Sequence, residues 1–119
     1  MILTMTYKYI NFEYLDTMTG GDEEMKHEML KMLIAEIPQE VDLMEKAAAA
    51  SDWEEVFQVS HKFKTTLSFI GSEELIAINK TVEQCSRLLI DVEEIPPMIA
   101  QIAEKTPLVM KELTTAFNG

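Results

Sequence analysis

The sequence predicts an all-α protein, an antiparallel up-and-down four-helix bundle with a short N-terminal lid helix. Three observations lead there. Apolar residues recur every three or four positions through four long segments, and those segments are separated by Gly20-Gly21, Ser51, Gly71 and Pro96-Pro97. No stretch alternates with the period of two that a half-buried strand needs, and no Asn-Gly or Asp-Gly pair joins two such stretches.

Met1 to Lys8 carries no period and is expected to be a tail or short lead-in. From Tyr9 or Ile10 to Met18, the residues Phe12, Leu15 and Met18 fall three apart, which suggests a short amphipathic helix lying as a lid on a bundle end. Asp22 then opens a second helix, with Glu23 and Glu24 in its first turn, where the helix dipole favours negative charge. Met25, Met29, Met32, Leu33 and Ile37 continue it as the apolar stripe. Pro38 removes an amide proton and crowds the preceding turn. The pattern nevertheless resumes through Val41, Leu43, Met44 and Ala47 to Ala50, so one long kinked helix is expected from about Asp22 to Ala49.

Ser51 with Glu54 three residues on is a capping-box signature, and a third helix is predicted from Asp52 to Ile70, stopped by Gly71. Ser72 restarts the pattern, with Leu75, Ile78, Val82, Cys85 and Leu89 on one face and an end near Asp91. A last helix begins around Pro96 and Pro97, prolines being tolerated in a first turn, and carries Ile99, Ile102, Leu108, Val109 and Leu113 inward past a bend at Pro107.

Composition narrows the function classes. With 119 residues, 47% of them apolar, the chain has enough for one domain over residues 1–119, and roughly two-thirds of its unfolded surface is buried on folding. A net charge of −11 repels nucleic-acid backbones and anionic lipid, so a protein partner with a basic or apolar patch is the better expectation. Cys85, the one cysteine, cannot form an internal disulfide, and as part of an apolar stripe it reads as a buried small hydrophobe. The stretch before Lys8 has no basic n-region or sustained apolar run and no segment reaches membrane-spanning length, so neither secretion nor a membrane anchor is expected and the cytoplasm is the default expectation.

The third helix holds the informative stretch, Ser60 to Gly71. Val56, Val59, Ser60, Phe63, Leu67 and Ile70 share its core sector, and His61 lies roughly 150° from the centre of that sector at 100° per residue. Phe57, Lys64, Thr65 and Ser68 stand at i−4, i+3, i+4 and i+7 from the histidine on the same outward strip. From helical geometry alone, a solvated polar residue on an exposed face is the simpler reading of His61. For Phe57, docking a partner and packing at the bundle edge or under the N-terminal lid are equal readings; Phe69 is a weaker candidate, set against burial on the next helix. Lys62 is a solvated charge that also adds to local attraction for an acidic partner face.

His61-Lys62-Phe63-Lys64 followed by Gly71 resembles the motif H-x-x-K-x-x-x-x-x-x-G of histidine-containing phosphotransfer (HPt) domains. Gly20-Gly21-Asp22 before the second helix, Asp52-Trp53 at the start of the third and Gly71-Ser72-Glu73-Glu74-Leu75 after it are similar to the pattern around that motif, so the resemblance covers Phe12 to Glu83. Many members have glycine directly after the motif lysine, where this chain has Thr65; a β-branched residue there is expected to narrow partner choice.

The resemblance implies a phosphorelay intermediate. His61 would accept a phosphoryl group from the aspartyl phosphate of one receiver domain and pass it to another. Lys64 would place an ammonium near the equatorial phosphoryl oxygens. It implies docking on receivers of a hybrid sensor kinase and a downstream regulator, through Phe57, Lys62, Thr65, Ser68 and Phe69, with Gly71 as a structural position. Mg2+ is expected in the receiver and no cofactor in this chain, which has neither a P-loop nor a kinase-type glycine loop. A free, monomeric carrier without kinase activity of its own is the expectation. Two alternatives stand beside it. One is a receiver-binding adaptor without phosphotransfer. The other is a carboxylate-bridged metal site built on Glu24-x-x-His27, for which a second such fragment is missing, the position matching the glutamate before His61 being Gln58.

Overall fold

The structure is a computed structural model that describes residues 7–119. Its helices are α1 (Glu13–Thr19), α2 (Glu23–Ala49), α3 (Trp53–Ile70), α4 (Glu73–Leu88) and α5 (Ile95–Asn118), with a 3-10 turn at Val92–Glu94 before α5, and the described residues contain no strand. Short links force α2, α3 and α4 to run antiparallel. In the resulting elongated bundle of 51 × 22 × 20 Å, α3 packs on α2 and α4, α5 closes the far side against the same two helices, and α1 lies across α2 and α3.

Side-chain caps explain where α2 and α3 start, and one of them corrects the expected register. Asp22 accepts the Met25 amide at 3.0 Å and opens α2, which then runs unbroken through Pro38, whose ring faces solvent. At α3 the cap is Asp52, accepting the Glu55 amide at 3.2 Å, and not Ser51. Ser51 is occupied in ending α2. It takes a left-handed φ of +53° while its amide and that of Asp52 donate back to the Ala48 and Ala47 carbonyls.

The core runs the length of the bundle. It is built from Leu15 of α1; Leu33, Ile37 and Met44 of α2; Phe63, Leu67 and Ile70 of α3; Leu75 and Val82 of α4; and Ile99, Ile102 and Leu113 of α5. Cys85 is buried among them as a free thiol, and burial pushes its pKa up, as do Asp91, Glu93 and Glu94. Several apolar side chains expected inward are exposed instead: Met18, Met25, Met32, Leu43, Leu89 and Leu108. On α2 the inward stripe is Leu30, Leu33, Ile37, Val41 and Met44, a third of a turn round from Met25 and Met32, and Met29 is half-buried between the two sets. Leu89 stays outside because α4 ends at Leu88, three residues short of Asp91, and Leu89 itself caps the helix at φ +55°.

Of the expected N-terminal tail, residues 1–6 lie outside the described residues. Lys8 and Tyr9 are held: both backbone amides donate to the Glu112 carboxylate of α5, at 2.7 and 2.8 Å. The chain then crosses the end of α3, where the Asn11 amide donates to the Ile70 carbonyl at 2.8 Å.

One buried charge stands out. Glu40 of α2 is 3% exposed, accepts a 3.3 Å hydrogen bond from Thr66 of α3 on one oxygen, and has no partner on the other. Burial raises its pKa above the ordinary carboxylate range, against the lowering effects of the Thr66 bond and of Lys62. A carboxyl with a raised native pKa costs most stability when ionised, and the cost fades as pH falls through that native value toward the unfolded one. Glu40→Gln is therefore expected to stabilise the protein at pH 7 by about 1 kcal/mol. The advantage over wild type should shrink as pH falls toward 4; urea melts from pH 7 to 4 measure it, and a gap that widens on acidification contradicts it.

Candidate functional site

The site is built on α3, whose orientation is set by polar as well as apolar contacts. On the α4 side, the buried Ser60 hydroxyl donates to the Asn79 side-chain oxygen at 2.7 Å, and the Asn79 amide donates to the Ser60 carbonyl at 3.0 Å. On the α2 side, Thr66 reaches Glu40. With Phe63 and Leu67 buried between these two seams, the next residue after Ser60 must point away from the core.

That residue is His61, whose side chain is 62% exposed. Its Nδ1 lies 3.7 Å from the Oε1 of Glu83 on α4, which is 18% exposed and whose other oxygen is buried without a partner. The separation is too long for a hydrogen bond, and the carboxylate faces the Nδ1 edge of the ring, with Nε2 at the opposite edge. Phe57, one turn earlier, sits half-buried with its ring centroid 5.7 Å from the imidazole.

The other residues singled out from the sequence separate into three settings. Lys64 turns toward α4 and lines a groove of about 330 Å3 with Leu67, Ile76, Lys80, Glu83 and Arg87 among its walls. Lys62 and Thr65 are exposed on the strip's other side, toward α2. Ser68 spends its hydroxyl on the Lys64 carbonyl at 3.0 Å, a bond within the helix, and Phe69 packs against Tyr14 of α1 with ring centroids 5.5 Å apart. Packing under the lid thus accounts for Phe69.

Gly71 ends α3 at φ +61°, its amide donating to the Leu67 carbonyl. A Cβ at this position would collide with the backbone carbonyl of Asn11 in the crossing N-terminal segment. The motif glycine is therefore required twice, by backbone conformation and by close approach.

Glu83 and Asn79 were not singled out in the sequence, and neither were Lys80 and Arg87. The signal available was faint: Ile76, Lys80, Gln84 and Arg87 fall on one strip of α4, but nothing local says that this strip borders α3. As to metal ligation, His27 stacks on Phe117 with ring centroids 4.0 Å apart, and among the described residues no group of three or more His, Cys, Asp or Glu side chains is placed to hold an ion.

His61 thus stands exposed on a packed helix with Lys64, also exposed, one turn on. Residues 28–116 match the family model for the Hpt domain, and the chain belongs to that family. The fold is similar to that of histidine-containing phosphotransfer protein B from Pseudomonas aeruginosa PAO1, with a TM-score of 0.84 at 17% identity over 95% of this chain and 97% of that one. It is also similar to the HPT domain of a sensor hybrid histidine kinase from Shewanella, with a TM-score of 0.79 at 19% identity over 92% and 93% of the two chains. No curated protein matches the sequence significantly. Hpt domains are phosphocarrier modules that work with receiver domains, and this chain is a phosphotransfer intermediate of two-component signalling. No helix among the described residues is long and apolar enough to cross a membrane.

Proposed function

We propose that His61 is the residue that carries the phosphoryl group. The observation that supports this most is the 62% exposure of the imidazole, with Glu83 facing its Nδ1 edge and Nε2, the proposed nucleophile, at the opposite edge. In the forward step Nε2 attacks phosphorus in line, the Nε2–P bond forms, and the P–O bond to the receiver's aspartate breaks to release a carboxylate. In the second transfer a carboxylate oxygen of another receiver's aspartate attacks phosphorus, the new P–O bond forms, and the Nε2–P bond breaks to release the imidazole. Lys64 offsets negative charge on the equatorial oxygens, and Glu83 offsets the positive charge that the ring gains.

The partners are receiver domains, one of a hybrid sensor kinase and one of a downstream regulator. They supply Mg2+ and the remaining catalytic groups, this chain acts as a monomeric cytoplasmic carrier, and it does not phosphorylate itself from ATP. Phe57, Lys62, Thr65 and Ser68 form the docking strip around the histidine, with Thr65 restricting how closely a partner loop approaches.

The test is a screen of phosphorylated receivers against the purified protein, scored as acid-labile, alkali-stable phosphate mapped to His61. Lys64→Ala should slow labelling about 10- to 100-fold while receiver binding persists. Receiver binding without any phosphohistidine would replace this reading by that of an adaptor.

A further inference from the structure

We infer that the groove between α3 and α4 is a cationic rail in which Lys80 and Arg87 engage acidic side chains of the docking receiver and decide which receivers are served. The inference rests on the receiver partnership above and adds to it the residues that select the partner.

The argument begins with charge. Acidic residues outnumber basic ones by 21 to 10, so a recess walled by basic groups runs against the composition. Lys64, Lys80 and Arg87 line this groove, and Glu83 is the one acid there, already turned toward His61. The other basic residues include three in ion pairs: Lys26 with Asp16, Lys46 with Asp42 and Lys105 with Glu74. Among the described residues no carboxylate lies within ion-pair distance of Lys64, Lys80 or Arg87. In a chain with so many acids, three such cations in one groove are available to something outside the molecule.

Spacing says what that is. Lys64 is one turn from His61 and is taken up by the phosphoryl group. Lys80 and Arg87 are seven residues apart on one strip of α4, a separation of about 10 Å along the axis. Two charges that far apart overreach a single phosphate and match a row of carboxylates. A partner that holds Mg2+ beside an aspartyl phosphate does so with one or two carboxylates that converge on the ion, so the rail is matched to further acidic side chains on the rim of that site. The long-range field of a −11 chain repels that acidic mouth, and the rail reverses the sign where contact is made. Leu67 and Ile76 on the groove walls give the lysine and arginine stems apolar surface to lie along.

The experiment compares two double variants of equal net charge. Lys80→Glu/Arg87→Glu alters the rail, and Lys31→Glu/Lys111→Glu places the same charge on exposed positions of α2 and α5. Transfer from a phosphorylated receiver is followed as KM and kcat across ionic strength. The rail variant should raise KM about 10-fold or more and flatten its salt dependence, with kcat at saturation retained. The control should stay within about twofold of wild type, and Lys80→Arg/Arg87→Lys should restore the original KM. Equal behaviour of the two acidic variants overturns the rail while leaving the carrier function standing. A wild-type protein that no receiver labels removes the receiver reading and the rail with it.

Discussion

Replacing His61 with glutamine is expected to reduce receiver-dependent labelling to background. The amide keeps the size and polarity of the side chain but has no lone pair basic enough to attack phosphorus. Because the imidazole is 62% exposed and glutamine is a good helix former, stability should change by no more than about 0.5 kcal/mol. The paired measurements are phosphate incorporation and a denaturant melt. Labelling that persists in a well-folded variant would move the phosphoryl acceptor elsewhere in the chain and remove the central assignment.

The second large effect concerns folding. Gly71→Ala places a side chain on a left-handed residue and drives its Cβ into the Asn11 carbonyl, a backbone atom that cannot swing aside. Left-handed backbone alone costs an alanine about 1–2 kcal/mol, and the collision should bring the total to roughly 2–4 kcal/mol. Gly20→Ala separates the two contributions. Gly20 has nearly the same φ, +60°, but nothing within 4 Å of an added Cβ. It should lose the conformational part only. The variants' melting temperatures are expected to differ, with Gly71→Ala lower, and exchange of the Asn11 amide should quicken in that variant as the crossing segment lifts from Ile70. Equal losses in the two variants would show that the crossing imposes no steric demand.

How much of this was legible beforehand depends on whether a feature is local. Asp22, Gly71 and the apolar sector of α3 act within one helix turn or along one helix, and they set the helix order and the outward placement of His61. The face that α4 turns to α3 is decided by packing between elements distant in sequence. Asn79 and Glu83 were therefore invisible until the bundle was assembled, although both are within 22 residues of the histidine. Met25 and Met32 misled for a related reason. A helix flanked by two neighbours has a broad apolar arc, and which third of it becomes the core depends on how α3 and α5 close around it. Glu40 is the opposite case, a charge where hydropathy demands oil, explained only by its contact with Thr66. At Ser51 and Asp52 two adjacent capping residues competed, and the requirement of ending α2 decided between them.

The Ser60–Asn79 pair acts as a key in a shaft. Turning α3 by one residue, about 100°, would strand the hydroxyl, the amide and the carbonyl of that pair in an apolar seam without partners. The helix that bears the histidine is thereby denied the rotation by which a bundle could withdraw its own reactive group.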